Sequence, residues 1–329
     1  MSYRILGGDC VARMGMLNPE SIDNIITDPP YEIGFMGKGW DSSGVAYNPV
    51  TWKAAHRVLK PNGIMLVFGA TRTHHRIAHA IERAGFEIID IVAWTYGTGF
   101  PKSHNISKAI DKNAGAKRKV IGQNKNHRSM KHTNSMVGEP HSGDGSITAS
   151  STPDAKQWEG WGTALKPAWE PVLIARKKGS SRTVENYSQF HYISKASKKE
   201  KNAGLSGFED KLSKTAYGNR VCSLCNKHEL QTNLERRCVC ENPVWGDGRL
   251  KPTKNTHPTV KPIKLMKALI EEFTEEGSIV FDPFTGSGST GIASVLLNRE
   301  FIGCELTPEY IPLAKARIEY AINDGELFE

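Results

Sequence analysis

The stretch from Ser278 to Glu305 limits what this chain can fold into more than any other part of it. Ser278-Ile279-Val280-Phe281-Asp282 reads as an apolar strand, Pro283-Phe284-Thr285-Gly286-Ser287-Gly288-Ser289 as a glycine-bearing turn, and Thr290 to Leu297 as a helix. A second short strand, Phe301-Ile302-Gly303-Cys304-Glu305, follows after a brief gap. Strand, turn, helix and strand in so short a span make a βαβ unit, which requires a parallel sheet covered by helices. Gly286 and Gly288 let backbone N–H groups approach a ligand closely, and the helix start presents its N-terminus to a carboxylate. Glu305 ends the second strand where a ribose diol would lie. The pattern predicts a nucleoside cradle.

Other apolar runs extend the sheet. Tyr3 to Leu6 is a short strand ending at Gly7-Gly8-Asp9-Cys10, and Asn24 to Thr27 a second. Gly63 to Gly69 is the continuous apolar run expected of a strand buried on both faces. A helix is expected over Thr73 to Ala84, stopped by Gly85, while Phe86 to Trp94 and Glu170 to Ala175 alternate as the sheet's terminal hairpin would. Leu265, Met266, Leu269, Ile270 and Phe273 recur at helical spacing within Lys264 to Phe273, and Pro308 to Ile322 predicts a last amphipathic helix. Alternating strands and helices of this kind specify a doubly wound α/β sheet.

Asp28-Pro29-Pro30-Tyr31 follows the second strand, at the end where open α/β sheets place their ligands. These four residues suit chemistry on an amino group attached to a nucleobase. The lone pair of such a nitrogen is shared with the ring, so it attacks only when acceptors restore density to it. A carboxylate (Asp28) and a carbonyl held rigid between prolines (Pro29, Pro30) can accept both N–H bonds, and Tyr31 offers a flat face to an unstacked base. A strand that merely stops in a Pro-Pro turn is the plainer reading of the same residues.

The two motifs together, with His257-Pro258-Thr259-Val260-Lys261-Pro262 just upstream of the second, resemble the β class of amino-group DNA methyltransferases. In that family D-P-P-Y precedes D-P-F-x-G-S-G-T, the order found here. The likeness covers residues 3 to 99, 164 to 177 and 257 to 320. Glu32 stands where the family often has Asn, and Ser289 replaces its usual first Thr while keeping a hydroxyl. The resemblance implies a class I S-adenosylmethionine-dependent fold, a doubly wound seven-stranded mixed sheet in circularly permuted order. It implies that Asp28, Pro29, Pro30 and Tyr31 are catalytic. It further implies that Asp9 and Cys10 border the adenine of S-adenosylmethionine and Glu305 its ribose. Asp282, Pro283, Phe284, Gly286, Ser287, Gly288 and Ser289 would surround its methionine portion. An ordinary Gly-Gly-Asp turn remains open for Asp9; Lys261 either lines the cofactor pocket or caps the loop before Pro262. Cys10 and Cys304 also read as small buried residues, and neither sits in the Pro-Cys motif of carbon-methylating enzymes.

The net charge of +8 is unevenly spread. Residues 101–256 hold 28 Lys and Arg against 14 Asp and Glu, the remainder 15 against 21. Lys117-Arg118-Lys119, Arg176-Lys177-Lys178, Lys195 to Lys201 and Arg236-Arg237 are expected to contact the phosphates of double-stranded DNA, or to be a solvated basic surface. Residues 102–163 lack a sustained apolar period and read as a flexible basic insertion, within which Trp158 and Trp161 favour packing over base stacking. Cys222, Cys225, Cys238 and Cys240 have the spacing C-x2-C-x12-C-x-C, which suits a structural zinc, with His228 able to replace one thiolate.

The expected organisation is a catalytic half (1–101), the insertion (102–163), a core strand (164–177), a target-recognition region with the cysteines (178–256) and a cofactor-binding half (257–329). No basic start with an apolar run and no membrane-length apolar stretch occurs in the sequence, so a cytoplasmic, membrane-free setting is expected. The functional expectation is site-specific methylation of adenine N6 in duplex DNA, with cytosine N4 as the alternative and an inactive zinc-containing DNA-binding protein as the contrasting class. A homodimer and a cognate restriction endonuclease are partners the resemblance allows.

Overall fold

The computed structural model describes residues 2–33, 39–97, 105–123, 146–162, 168–212, 240 and 252–328. In chain order, β1 (Tyr3–Gly7), α1 (Cys10–Gly15), β2 (Ile22–Thr27), α2 (Pro49–Val58), β3 (Leu59–Phe68), α3 (His74–Arg83) and β4 (Phe86–Thr95) come first. There follow α4 (Ile106–Asn113), β5 (Val120–Gln123), β6 (Ser146–Thr148) and α5 (Pro153–Gln157). Next are β7 (Trp169–Lys177), β8 (Phe190–Tyr192), α6 (Lys198–Asn202), β9 (Lys211–Leu212) and β10 (Pro252–Thr253). The last described elements are α7 (Ile263–Phe273), β11 (Ile279–Asp282), α8 (Ser289–Leu296), β12 (Glu300–Glu305) and α9 (Tyr310–Asn323).

The chain divides into two compact units, residues 1–99, 167–208 and 255–329 in one and 100–166 with 209–254 in the other. The first holds an eight-stranded sheet in the order β1-β12-β11-β2-β3-β7-β4-β8. Only β7 runs antiparallel to its neighbours, β3 on one side and β4 on the other. The doubly wound mixed sheet is thus present, with one strand more than the seven expected. The addition is β8, which pairs with β4 through Ala93↔Phe190 to Thr95↔Tyr192. Its three residues carry too little pattern to be read as a strand, and it displaces the β4–β7 hairpin from the sheet edge.

Alternation along the strands sorts the core. Ile64, Leu66 and Phe68 face the cluster containing Leu265, Leu269 and Phe273 of α7 and Ile292 of α8. Met65 and Val67 face the opposite cluster, with Met14, Trp52, Ala55, Ile77 and Ile81 from α1, α2 and α3. β3 is apolar throughout Ile64–Phe68 because both its faces are covered. Helix boundaries follow local chemistry: Asn48 caps α2 by accepting from Val50 N at 3.0 Å, and Gly85 at φ 103° follows the end of α3.

Gly303 of β12 is needed for space. A Cβ there would stand 2.2 Å from Thr285 Oγ1 and 2.9 Å from the Phe301 ring. Gly303→Ala is therefore expected to lower stability by about 1–3 kcal/mol, read from the midpoint of urea unfolding.

In the second unit, residues 105–123 and 146–162 contain two helices and the β5–β6 hairpin, where composition suggests an insertion without regular structure. A buried polar centre replaces an apolar core. The Asp111 carboxylate accepts from Arg118 at 2.6 Å, Ser151 N at 3.0 Å, Thr152 N at 2.9 Å and Thr152 Oγ1 at 2.7 Å. Hydrophobic periodicity is blind to such a centre. Trp158 and Trp161 meet edge to face, and both are exposed.

Candidate active site

The sheet order decides the site. β11, from near the end of the chain, pairs in parallel with β2, from near its start, through Val280↔Asn24 and Phe281↔Ile25. Their connections leave in opposite directions, toward β12 and toward β3, which makes this the switch point where such sheets bind ligands. The loops carrying Asp28 and Gly286 therefore leave the same edge of the sheet side by side. Thr27 Oγ1 donates to Asp282 Oδ1 at 2.6 Å and closes the seam between them.

On the first loop, Pro29 is buried and Asp28 is largely so. Asp28 Oδ2 is paired with the Lys261 ammonium, whereas Oδ1 is buried without a partner among the described residues. Burial pushes the Asp28 carboxyl above its ordinary value, against the Lys261 ammonium, which pulls it down. The Tyr31 hydroxyl donates to Glu170 Oε2 at 2.9 Å, and its carbonyl accepts from Tyr47 at 3.1 Å and Thr73 at 3.2 Å. Glu32 adopts φ 54°, left-handed backbone that residues other than glycine enter uncommonly, and its carboxylate accepts from Gly44 N at 2.8 Å and Ala46 N at 3.3 Å. These bonds hold the left-handed turn in place, so Glu32 fastens the 28–32 loop to residues 43–46.

The second loop is built on two left-handed glycines, Gly286 at φ 53° and Gly288 at φ 81°. Its carboxylates take different roles. Asp282 accepts from Thr27, from Thr290 Oγ1 at 2.6 Å and from Phe284 N at 3.0 Å, so it ties the loop to both strands. Burial, opposed by those bonds, pushes its carboxyl up to about 6. Glu305 accepts from Gly286 N at 2.8 Å and Thr307 N at 2.7 Å, leaving acceptor positions for a ligand. Asp9 lies on the neighbouring strand end, since Gly7 is in register with Glu305. It caps α1 by accepting from Ala12 N at 2.9 Å through one oxygen, and its second oxygen can accept from another donor. Cys10 is buried beside it in the core, and burial pushes the thiol up to about 12, so it is an inert group.

Lys261 joins the two loops. Its carbonyl accepts from Ser289 Oγ at 3.0 Å, and its ammonium points to Asp28. His257, from the same segment, packs against Gly286, where a Cβ would come 2.7 Å from its ring. Burial holds its imidazole neutral, down to about 3, and its Nδ1 is buried without a partner among the described residues. An orphaned imidazole nitrogen beside a glycine loop, with Glu305 and Asp9 holding spare acceptors, fits a polar nucleoside ligand. Pro283, Phe284 and Ser287 complete the loop, and Arg317 Nη1 donates to the Ser287 carbonyl at 2.6 Å.

The sequence assigns no role to Glu170, and Glu32 stands out there only as a departure from the family. Glu170 had a signal, a lone acid inside the apolar strand Trp169 to Ala175. Cys222, Cys225 and Cys238 lie outside the described residues, as does His228; Cys240 is half-buried. No group able to hold a metal occurs among the described residues. Among them, too, no helix is long and apolar enough to cross a membrane.

A mixed, mostly parallel sheet with a glycine loop and an acid-bearing D-P-P-Y loop at one switch point fits a nucleoside-dependent transferase architecture. Residues 22–316 match the DNA methylase family N6_N4_Mtase, and the chain belongs to that family. It is a DNA methyltransferase of the N6-adenine/N4-cytosine kind. The type II methyltransferase M2.DpnII of Streptococcus pneumoniae is 24% identical over 96% of this chain and 89% of its own length. The DNA adenine methyltransferase YhdJ of Escherichia coli K12 is 26% identical over 96% and 83%. In fold, the PvuII cytosine-N4-specific DNA methyltransferase superposes with a TM-score of 0.55 at 16% identity, covering 96% of this chain and 86% of that one.

Proposed function

We propose that the chain transfers a methyl group from S-adenosylmethionine to the exocyclic N6 of adenine in duplex DNA, after the base is turned out of the helix. The observation that carries this reading is the buried Asp28 Oδ1, an acceptor without a hydrogen-bond partner among the described residues. When bound, S-adenosylmethionine supplies a methyl carbon made electrophilic by its sulfonium. Asp28 accepts one N–H of the amino group and the Pro29 carbonyl the other, which turns the nitrogen lone pair outward. Asp28 then receives the proton that the methylated nitrogen sheds, and the Tyr31 ring replaces stacking that the base leaves behind. No covalent intermediate with the protein is required. Asp rather than Ser at the first position of the motif supports adenine over cytosine, as does the similarity to the DNA adenine methyltransferase YhdJ.

Incubation of unmethylated duplex DNA with the protein and labelled S-adenosylmethionine, followed by mass analysis of the nucleosides, tests the reading. N6-methyladenine is expected; N4-methylcytosine would move the assignment to the alternative base, and unmethylated DNA would refute both. Glu305, Asp9, Cys10, Lys261 and the 282–289 loop are assigned to the cofactor. Glu305→Ala is expected to weaken S-adenosylmethionine binding about ten- to a hundredfold by calorimetry, from the loss of hydrogen bonds to a charged acceptor.

We extend the proposal to the basic middle of the chain as the DNA-contacting region and to one structural zinc on Cys222, Cys225, Cys238 and Cys240, on the strength of charge and spacing. Methyl transfer from a sulfonium needs no Lewis acid, so the zinc would serve folding. One zinc per chain by elemental mass spectrometry is the expected result. A cognate restriction endonuclease, a homodimer and a cytoplasmic location belong to the same proposal; the type II names of relatives support the first.

A further inference from the structure

Glu170 lies on β7 directly opposite Trp94 of β4, in a strand paired on both sides. Its Oε1 accepts from Tyr96 at 3.1 Å and from the Lys195 ammonium at 3.4 Å, while Oε2 accepts from Tyr31 at 2.9 Å. The carboxylate is thus held in place by groups from three parts of the chain. Lys261 Nζ stands 3.8 Å from Glu170 Oε2 while paired with Asp28. The same ammonium lies 5.3 Å from the Tyr31 ring centre, 5.1 Å from that of Phe68 and 6.0 Å from that of Trp94.

This arrangement conflicts with a base sitting in the same place. An ammonium on Asp28 competes with a base N–H for that carboxylate, and an ammonium over Tyr31 takes stacking surface that a base would use. Lys261 has a flexible four-carbon stem, and the nearest second anion is the fixed Glu170. The two carboxylates are also distinct. Burial raises both, but at Glu170 the Lys261 and Lys195 charges and the two tyrosine hydroxyls outweigh it and leave that carboxyl below its ordinary value, whereas Asp28 stays above. Glu170 is the acid that keeps a negative charge for an ammonium to move to.

We propose that Glu170 is a positioning residue: it brackets Tyr31 and Tyr96 and serves as the second station for the Lys261 ammonium when Asp28 takes up the amino group of the target base. The proposal rests on the reading of Asp28 as the amino-group acceptor. The groups facing one another are Asp28, Glu170, Lys195, Lys261, Tyr31 and Tyr96.

Glu170→Gln keeps one acceptor oxygen for one tyrosine hydroxyl, offers the other hydroxyl an amide N–H to accept from, and removes the charge. It is expected to lower kcat about ten- to a hundredfold, as loss of an interaction with a charged group does, with S-adenosylmethionine affinity and the thermal midpoint unchanged. In a cycle with Lys261→Met, the double variant is expected to be no slower than the slower single one, because both changes interrupt one transfer of charge. Tyr96→Phe, which removes one bond of the bracket without removing the charge, is expected to lower kcat less than Glu170→Gln does. Wild-type kcat in Glu170→Gln, multiplying effects in the cycle, or a Tyr96→Phe defect as large as that of Glu170→Gln would each overturn the proposal. If Glu170→Gln fails to fold, Glu170→Asp keeps the charge but withdraws it by one methylene, and wild-type kcat there overturns the proposal equally. Asp28→Ala separates the two levels: an active Asp28→Ala sinks the reading of the site itself, whereas an inactive one beside a fully active Glu170→Gln sinks the second-station role alone.

Discussion

Replacing Asp28 with alanine is expected to reduce methyl transfer by about three orders of magnitude or more while S-adenosylmethionine still binds. The size follows from what is removed. Asp28 is the acceptor with a buried oxygen left over, and the amino nitrogen it would activate is a poor nucleophile until its N–H bonds are engaged. Cofactor binding is expected to survive because Glu305, held by Gly286 N and Thr307 N, and the glycines of the 286–288 turn belong to a different loop. Single-turnover methylation with calorimetry of the same preparation measures both. Turnover near that of the parent would remove Asp28 from the chemistry; loss of cofactor binding would mean that the substitution damaged the fold of both loops.

Lys261→Met is expected to move the acid limb of the kcat/KM profile to higher pH by about one to three units, the range produced by one opposite charge at contact distance. Catalysis needs the Asp28 carboxylate, so activity falls as pH drops through its pKa. Burial already pushes that pKa up, and Lys261 opposes the rise. Removing the ammonium leaves burial and the Glu170 charge opposed only by the Tyr31 hydroxyl, so the proton is held to higher pH. Tyr31 and Asp282, the other ionisable neighbours, stay unchanged in the variant. Because kcat/KM reports the free protein, the limb reads Asp28 with Lys261 still beside it. An unshifted limb would show that Lys261 does not tune Asp28, even if the variant were slow.

Much of the fold was legible because its signals are short-range. Short apolar stretches mark β2 (Ile25-Ile26), β3 (Ile64 to Phe68) and β11 (Ile279 to Phe281), glycines mark the turn at 286–288, and helical spacing marks α7. β8 escaped notice since three residues, two of them exposed aromatics, carry no periodicity. The folded part of the insertion escaped it for another reason: Asp111 and Arg118 organise it through hydrogen bonds, which leave no apolar pattern. In the site, D-P-P-Y, Glu305 and the glycine loop could be named beforehand, yet Glu170 could not be given a partner.

The sequence by itself determined the local chemistry: which strand ends carry an acid, which turns need glycine, and the order in which the two motifs occur. Those properties depend on backbone geometry and side-chain type within a few residues. Only the tertiary structure decided that Lys261 reaches Asp28, 233 positions away, and that Glu170 stands within 4 Å of that same ammonium. Such meetings depend on the lateral order of strands, with β11 beside β2 and β7 between β3 and β4. That order is settled by packing of the whole sheet against two layers of helices, and no neighbouring stretch of chain encodes it.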